Sequence, residues 1–180
     1  MNVIKLIIIF ILLTSNLYGQ SIVENFENQP EKRWQFFTDG VMGGKSSGKL
    51  EFWKDGESTF ARMIGNVSTK NNGGFIQFRA RLSGSMKENM QGIKINVRGN
   101  NQKYFIHLRT SGTVLPWQYY SQSFEVKNNW QVINLPFSAF KASGSFMRKR
   151  IKPSTIRTVG IVAYGRDHQA EIEVSKIIFY

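Results

Sequence analysis

Cysteine is absent from the 180 residues. That excludes disulfides, thiolate metal sites, cysteine nucleophiles and cysteine-linked lipid anchors. Histidine occurs only twice, at His107 and His168, and proline four times. Acids number 12 against 24 lysines and arginines, and no two acids share a context that suggests paired acid and base roles. Asp167 and His168 are neighbours without a third ligand in sight, so no metal site is expected. There is no P-loop, no dinucleotide fingerprint, no internal repeat and no capped amphipathic stretch of ten or more residues. No cofactor is expected.

What is present is a chain 41% hydrophobic and 13% aromatic, enough for one core in one domain. The net charge of +12 favours acidic partners and says nothing about fold. The long apolar run, Leu6 to Leu13, follows Lys5 and precedes "TSNLYGQS". This is the layout of a signal peptide over residues 1–19, cleaved after Gly19. The run is shorter than the roughly 20 residues of a spanning helix, and it lacks the arginines of a mitochondrial presequence. Export to the periplasm or the medium is the expectation. Residues 20–33 read as a flexible lead-in, and 34–180 as the domain.

That domain alternates strictly. Ile76, Phe78 and Ala80 oppose Gln77, Arg79 and Arg81; Ile93, Ile95 and Val97 oppose Lys94, Asn96 and Arg98. Tyr104, Ile106 and Leu108 oppose Phe105, His107 and Arg109, and Ala170, Ile172 and Val174 oppose Glu171 and Glu173. Period two marks strands with one face on a core and one in water. Weaker runs lie at 34–38, 48–54, 58–67, 119–126, 130–135, 156–164 and 176–180, separated by Gly, Asn, Ser and Pro. About ten short strands at this spacing predict an all-β antiparallel sandwich or barrel. The outward residues Gln77, Arg79, Asn96, Arg98, His107 and Arg109 form one basic face if their strands are neighbours. Trp117, Tyr119 and Tyr120 would add flat rings beside it. Guanidinium forks suit carboxylate, sulfate or phosphate, so the expected partner is an acidic glycan or an acidic protein. Nucleic acid is disfavoured by export.

"DGVMGGKSSG", residues 39–48, contains G-x-S-x-G at Gly44 to Gly48. A nucleophile elbow requires a helix after the serine, whereas Ser46 leads into "GKLEFWK", which alternates like a strand. The stretch therefore reads as a corner. Asp39 would accept nearby backbone N–H groups as an Asx turn, Gly43 and Gly74 would adopt positive φ, and Met42 would fill a gap in the core. Asn71, Asn72, Gly73 and Gly74 form a second turn with Phe75 behind it. Two readings stay open: corners that hold the sandwich together, or loops that line a binding surface.

Trp34 to Gly48, with its D-G-V-M-G-G, and Phe60 to Arg79, with its N-N-G-G-F, resemble the two-part signature of the complex I intermediate-associated protein 30 family. The motif loops carry Asp39, Gly40, Met42, Gly43, Gly44 and Ser46, then Asn72, Gly73, Gly74 and Phe75. Gly92 to Thr110, Tyr119 to Phe140 and the closing strands resemble its later blocks. The resemblance implies a galactose-binding-domain-like jelly roll and a non-enzymatic role, because mitochondrial members are assembly factors for respiratory complex I. Two features depart from the family: Asn100 stands where its members usually have aspartate, and an exported chain would not reach a mitochondrial matrix. The expected function is thus an exported binding domain with an assembly or chaperone-like role, or alternatively a lectin-like module for an acidic envelope polysaccharide.

Overall fold

The computed structural model describes residues 21–180 apart from Glu57 and Ser85. The signal peptide predicted over 1–19 lies outside the described residues. Twelve strands run in chain order: β1 (Ser21–Glu24), β2 (Trp34–Thr38), β3 (Ser47–Asp55), β4 (Ser58–Val67), β5 (Phe75–Arg81), β6 (Gly92–Gly99), β7 (Lys103–Thr110), β8 (Tyr120–Glu125), β9 (Gln131–Pro136), β10 (Lys141–Ala142), β11 (Ile156–Tyr164) and β12 (His168–Phe179). Between them, the described residues form only short 3₁₀ turns and no α-helix.

The strands build two six-stranded antiparallel sheets. The first has the order β3-β4-β12-β6-β9, with β1 on the far end of β12; the second has the order β10-β8-β7-β11-β5-β2. The inward residues of the alternating segments meet between them. Ile76, Phe78, Ile106, Leu108 and Ile161 from the second sheet face the same core as Met63, Ile95, Val97, Ile172 and Val174 from the first. All ten are fully buried. Packing two half-apolar sheets on each other is what period-two alternation requires, and the result is the predicted sandwich.

Two expectations need correction. The runs at 170–174 and 176–180 are one strand, β12. Its register slips between Val174 and Lys176 against β6, a bulge that leaves Ser175 extra. The buried positions therefore change phase, from 170, 172 and 174 to 177 and 179, and the alternation looks broken where the strand is continuous. The stretch 20–33 is not a loose lead-in over its described part. β1 pairs with β12, and Phe26 is buried beside Trp34 at 5.4 Å between ring centroids. Glu24, itself buried, accepts Phe26 N–H at 2.6 Å, Trp34 Nε1–H at 2.7 Å and Arg33 Nη2–H at 2.8 Å. Four residues are too few to show a period, so β1 escaped the pattern.

Candidate functional site

Asp39 opens a one-turn 3₁₀ helix, Asp39–Met42, that starts with Thr38 Oγ1 accepting Gly40 N–H and ends on Gly43 at φ 84. Its carboxylate is fully buried. It accepts the Ser46 N–H at 2.9 Å, the Ser46 hydroxyl, the Gly74 N–H and the Phe75 N–H. Ser46 Oγ in turn accepts Ser68 N–H at 2.9 Å. This is not the local Asx corner the sequence suggests. It is a clamp that joins two turns 35 residues apart in sequence. Gly44 and Gly73 are glycines because a Cβ at either would collide with the Asp39 carboxyl group. Burial pushes that carboxyl up, but the hydrogen bonds from Ser46, Gly74 and Phe75 outweigh it and hold it below the usual carboxylate range. Ser46 is thus committed to structure, and Met42 does not enter the core. Met42 is 67% exposed and Val41 76%, because the 3₁₀ turn carries both away from the sheets.

A groove of about 480 Å³ lies over the outer face of the second sheet. Its floor comes from Gln77 and Arg79 on β5, Gly160 on β11, and His107 and Arg109 on β7. Gly160 pairs with Arg79 on one side and His107 on the other, and its missing side chain leaves room between them. One rim is Val41, Met42, Asn72 and Gly73 from the clamped turns; the other is Pro116, Trp117 and Tyr119. The motif loops and the basic face, two separate candidates in the sequence, therefore meet in one place.

Arg79 is half-buried with its guanidinium 4.5 Å from the centroid of the Phe37 ring. Arg109 Nη2–H donates to the Leu115 carbonyl at 3.0 Å. Neither arginine forms an ion pair among the described residues, and no carboxylate lines the groove. Burial, then the neighbouring Arg109 and Arg81, push the Arg79 guanidinium down. His107 stacks on Tyr119, with ring centroids 4.0 Å apart and 13° between planes. Burial lowers the imidazole to about 4, so it is neutral at pH 7, and its Nε2 has no hydrogen-bond partner. Burial first, then Tyr164, raises the Tyr119 phenol to about 12.

Three residues of the predicted face are elsewhere. Asn96 and Arg98 stand on β6, which belongs to the first sheet, because consecutive strands β5 and β6 cross from one sheet to the other. There Asn96 Nδ2–H donates to Ser175 Oγ at 2.7 Å, and Arg98 pairs with Glu173 while stacking 4.8 Å from the Trp130 ring. Tyr120 is buried in the core and donates its hydroxyl to the Arg148 carbonyl at 2.9 Å; one position past Tyr119, it takes the opposite face. Asn100 donates to Gln169 C=O at 2.8 Å and accepts from Tyr104 Oη at 2.7 Å, and an aspartate could not donate the first bond. The sequence reading missed Phe37 and the β11 contribution. A glycine inside the apolar run "TVGIVAY" was the available signal, since such a glycine often marks close approach in a strand.

The sequence profile described as complex I intermediate-associated protein 30 matches residues 24–174. A search of curated proteins finds no match. Among solved structures, the chain is similar to the family 11 carbohydrate-binding module of a cellulosomal cellulase of Clostridium thermocellum. The TM-score is 0.72 at 14% identity, covering 89% of this chain and 94% of that one. A family 11 carbohydrate-binding module from Clostridium thermocellum in complex with a β-1,3-1,4-mixed-linked tetrasaccharide gives a TM-score of 0.71 at 13% identity, with 89% and 94% covered. A family 30 carbohydrate-binding module gives 0.53 at 11% identity, with 75% and 91% covered. At these identities the likeness is one of fold, and the fold is the jelly-roll sandwich.

Proposed function

The chain belongs to the complex I intermediate-associated protein 30 family, and from that premise we propose a non-enzymatic binding domain whose ligand lies in the groove over the second sheet. The ligand we propose is a segment of acidic polysaccharide. The observation that carries this reading is the pair Arg79 and Arg109, which share a groove without a carboxylate. Two unmatched guanidiniums repel each other and favour an anion between them. Trp117, 66% exposed on the rim, offers a flat apolar platform to a sugar ring. The similar Clostridium module in complex with a tetrasaccharide supports a saccharide on this fold, while acidity is argued from the arginines alone.

A second reading, an assembly or chaperone-like role on a protein client, is favoured by family membership and by the exposed Val41 and Met42 on the rim. Calorimetric titration with polygalacturonate and with neutral β-1,3-1,4-glucan separates the two when paired with capture from an envelope extract. Binding of polygalacturonate that weakens with salt and is lost in Arg79→Ser/Arg109→Ser is the expected result. Equal binding of the neutral glucan would end the charge argument. Arginine-dependent capture of a protein, with neither glycan bound, would establish the second reading. We further propose that the chain is exported; intact-mass analysis should give a mature protein starting near Gln20.

A further inference from the structure

The loop from Ser143 to Lys152 has no part in lining the groove. Arg148, Lys149, Arg150 and Lys152 occupy four of five consecutive positions, with no acid from 141 to 152. Of these four, only Lys152 has an acidic partner among the described residues, Glu88 at 3.2 Å. Ahead of the cations stands Phe146, 98% exposed. The loop is braced: Met147 is buried, Tyr120 Oη–H holds the Arg148 carbonyl, and Ser143 N–H donates to the Tyr119 carbonyl at 2.9 Å. Ser143 Oγ also accepts Tyr119 N–H and donates to the Trp117 carbonyl at 2.8 Å. With Met147 pinned inward, its neighbour Phe146 is turned into water, where it does nothing for the fold. On the segment that Ser143 braces, Val114 and Leu115, three and two residues before Trp117, are 81% and 41% exposed.

We propose that this edge of the molecule contacts an anionic lipid surface. Phe146 enters the boundary between head groups and acyl chains, and Arg148, Lys149 and Arg150 sit on the lipid phosphates. Three bare cations would also attract nucleic acid. Phe146 could meet either partner, but the exposed aliphatic Val114 and Leu115 have no ring to stack on a base and suit hydrocarbon, which favours the lipid. The proposal does not depend on what fills the groove. Since Ser143 is bonded to the Trp117 and Tyr119 backbone, it sets that rim beside the lipid.

The test uses the chain from Gln20, which contains both sheets and leaves out the apolar leader. It is sedimented with vesicles of phosphatidylglycerol and phosphatidylcholine, and with vesicles of phosphatidylcholine alone. Binding to the anionic vesicles only, falling as salt rises, is expected. Arg148→Ser/Lys149→Ser/Arg150→Ser should weaken it roughly hundred-fold, at about five-fold per cation, and Phe146→Ser about ten-fold or more. All four side chains are exposed, so thermal unfolding should not change in either variant. A control, Lys54→Ser/Lys70→Ser/Lys127→Ser, removes the same charge from exposed sites elsewhere and should bind like wild type. Absence of vesicle binding overturns the proposal, as does an equal loss in the control or wild-type affinity in Phe146→Ser. A DNA oligonucleotide binding more tightly than the vesicles through the same loop overturns it in favour of nucleic acid.

Discussion

The outer faces of the two sheets carry similar residues on similar strands and end in opposite states. On the first sheet, Arg62 bonds Glu171 at 2.6 Å and reaches Glu173 at 3.5 Å, while Arg98 takes the other oxygen of Glu173. These two arginines and two glutamates answer one another within the sheet. On the second, Arg79 and Arg109 face a groove with no carboxylate. A count of outward arginines cannot separate a scaffold surface from a binding surface; the acids on the adjacent strand can. β12 supplies "EIE" beside β6, whereas β11 supplies "TVGIV" beside β5 and β7.

The sharpest way to break this contrast is to remove the rim of the open face without touching the closed one. Asp39→Ala should destabilise the domain by about 3–5 kcal/mol, because four donors lose one buried acceptor, and urea unfolding would measure it. Acid should mimic the change. The folded carboxyl is held below its ordinary value, so its contribution is complete above about pH 4 and is lost as pH falls through the folded pKa.

His107 has no counterpart on the closed face. Its folded value of about 4 lies below the unfolded imidazole, near 6.5. The unfolded chain therefore takes up the proton first, and stability falls as pH drops from about 6.5 to 4. His107→Phe should flatten that part of the profile, a difference of roughly 3 kcal/mol at pH 4. Unfolding midpoints across that range are the measurement.

Opening the closed face should have a smaller effect. Glu173→Gln leaves Arg62 and Arg98 without their shared partner and should cost about 1–2 kcal/mol, since the glutamate side chain is only 12% exposed. If unanswered arginines make a site, this variant gains weak, salt-sensitive binding of polygalacturonate on a face that had none. The smallest stability effect belongs to Arg79→Ser/Arg109→Ser, within about 1 kcal/mol, with binding nonetheless lost. If Arg79→Ser/Arg109→Ser unfolds, or folds and binds unchanged, the distinction is erased.

The sandwich was legible because alternation survives in β5, β6 and β7, where each inward residue is buried. What stayed hidden depended on partners distant in the chain. Nothing near "DGVMGG" names Gly74 as a partner of Asp39, and nothing in "KINVR" says that β6 leaves the sheet of β5. Ser175 broke the period of β12 by one residue, which reads as an end and is a bulge. The groove was half visible: Arg79, His107, Arg109, Trp117 and Tyr119 were found, while Gly160 and Phe37 became meaningful only once β11 and β2 lay beside β5.

Because one carboxylate secures both turns, the rim cannot loosen in parts. The amides of Ser46, Gly74 and Phe75 end on Asp39, and that of Ser68 ends on the hydroxyl Asp39 holds. Whatever frees one frees all four, so the rim keeps a single clock: one opening rate, shared by amides far apart in the chain, sets how often the mouth of the groove widens.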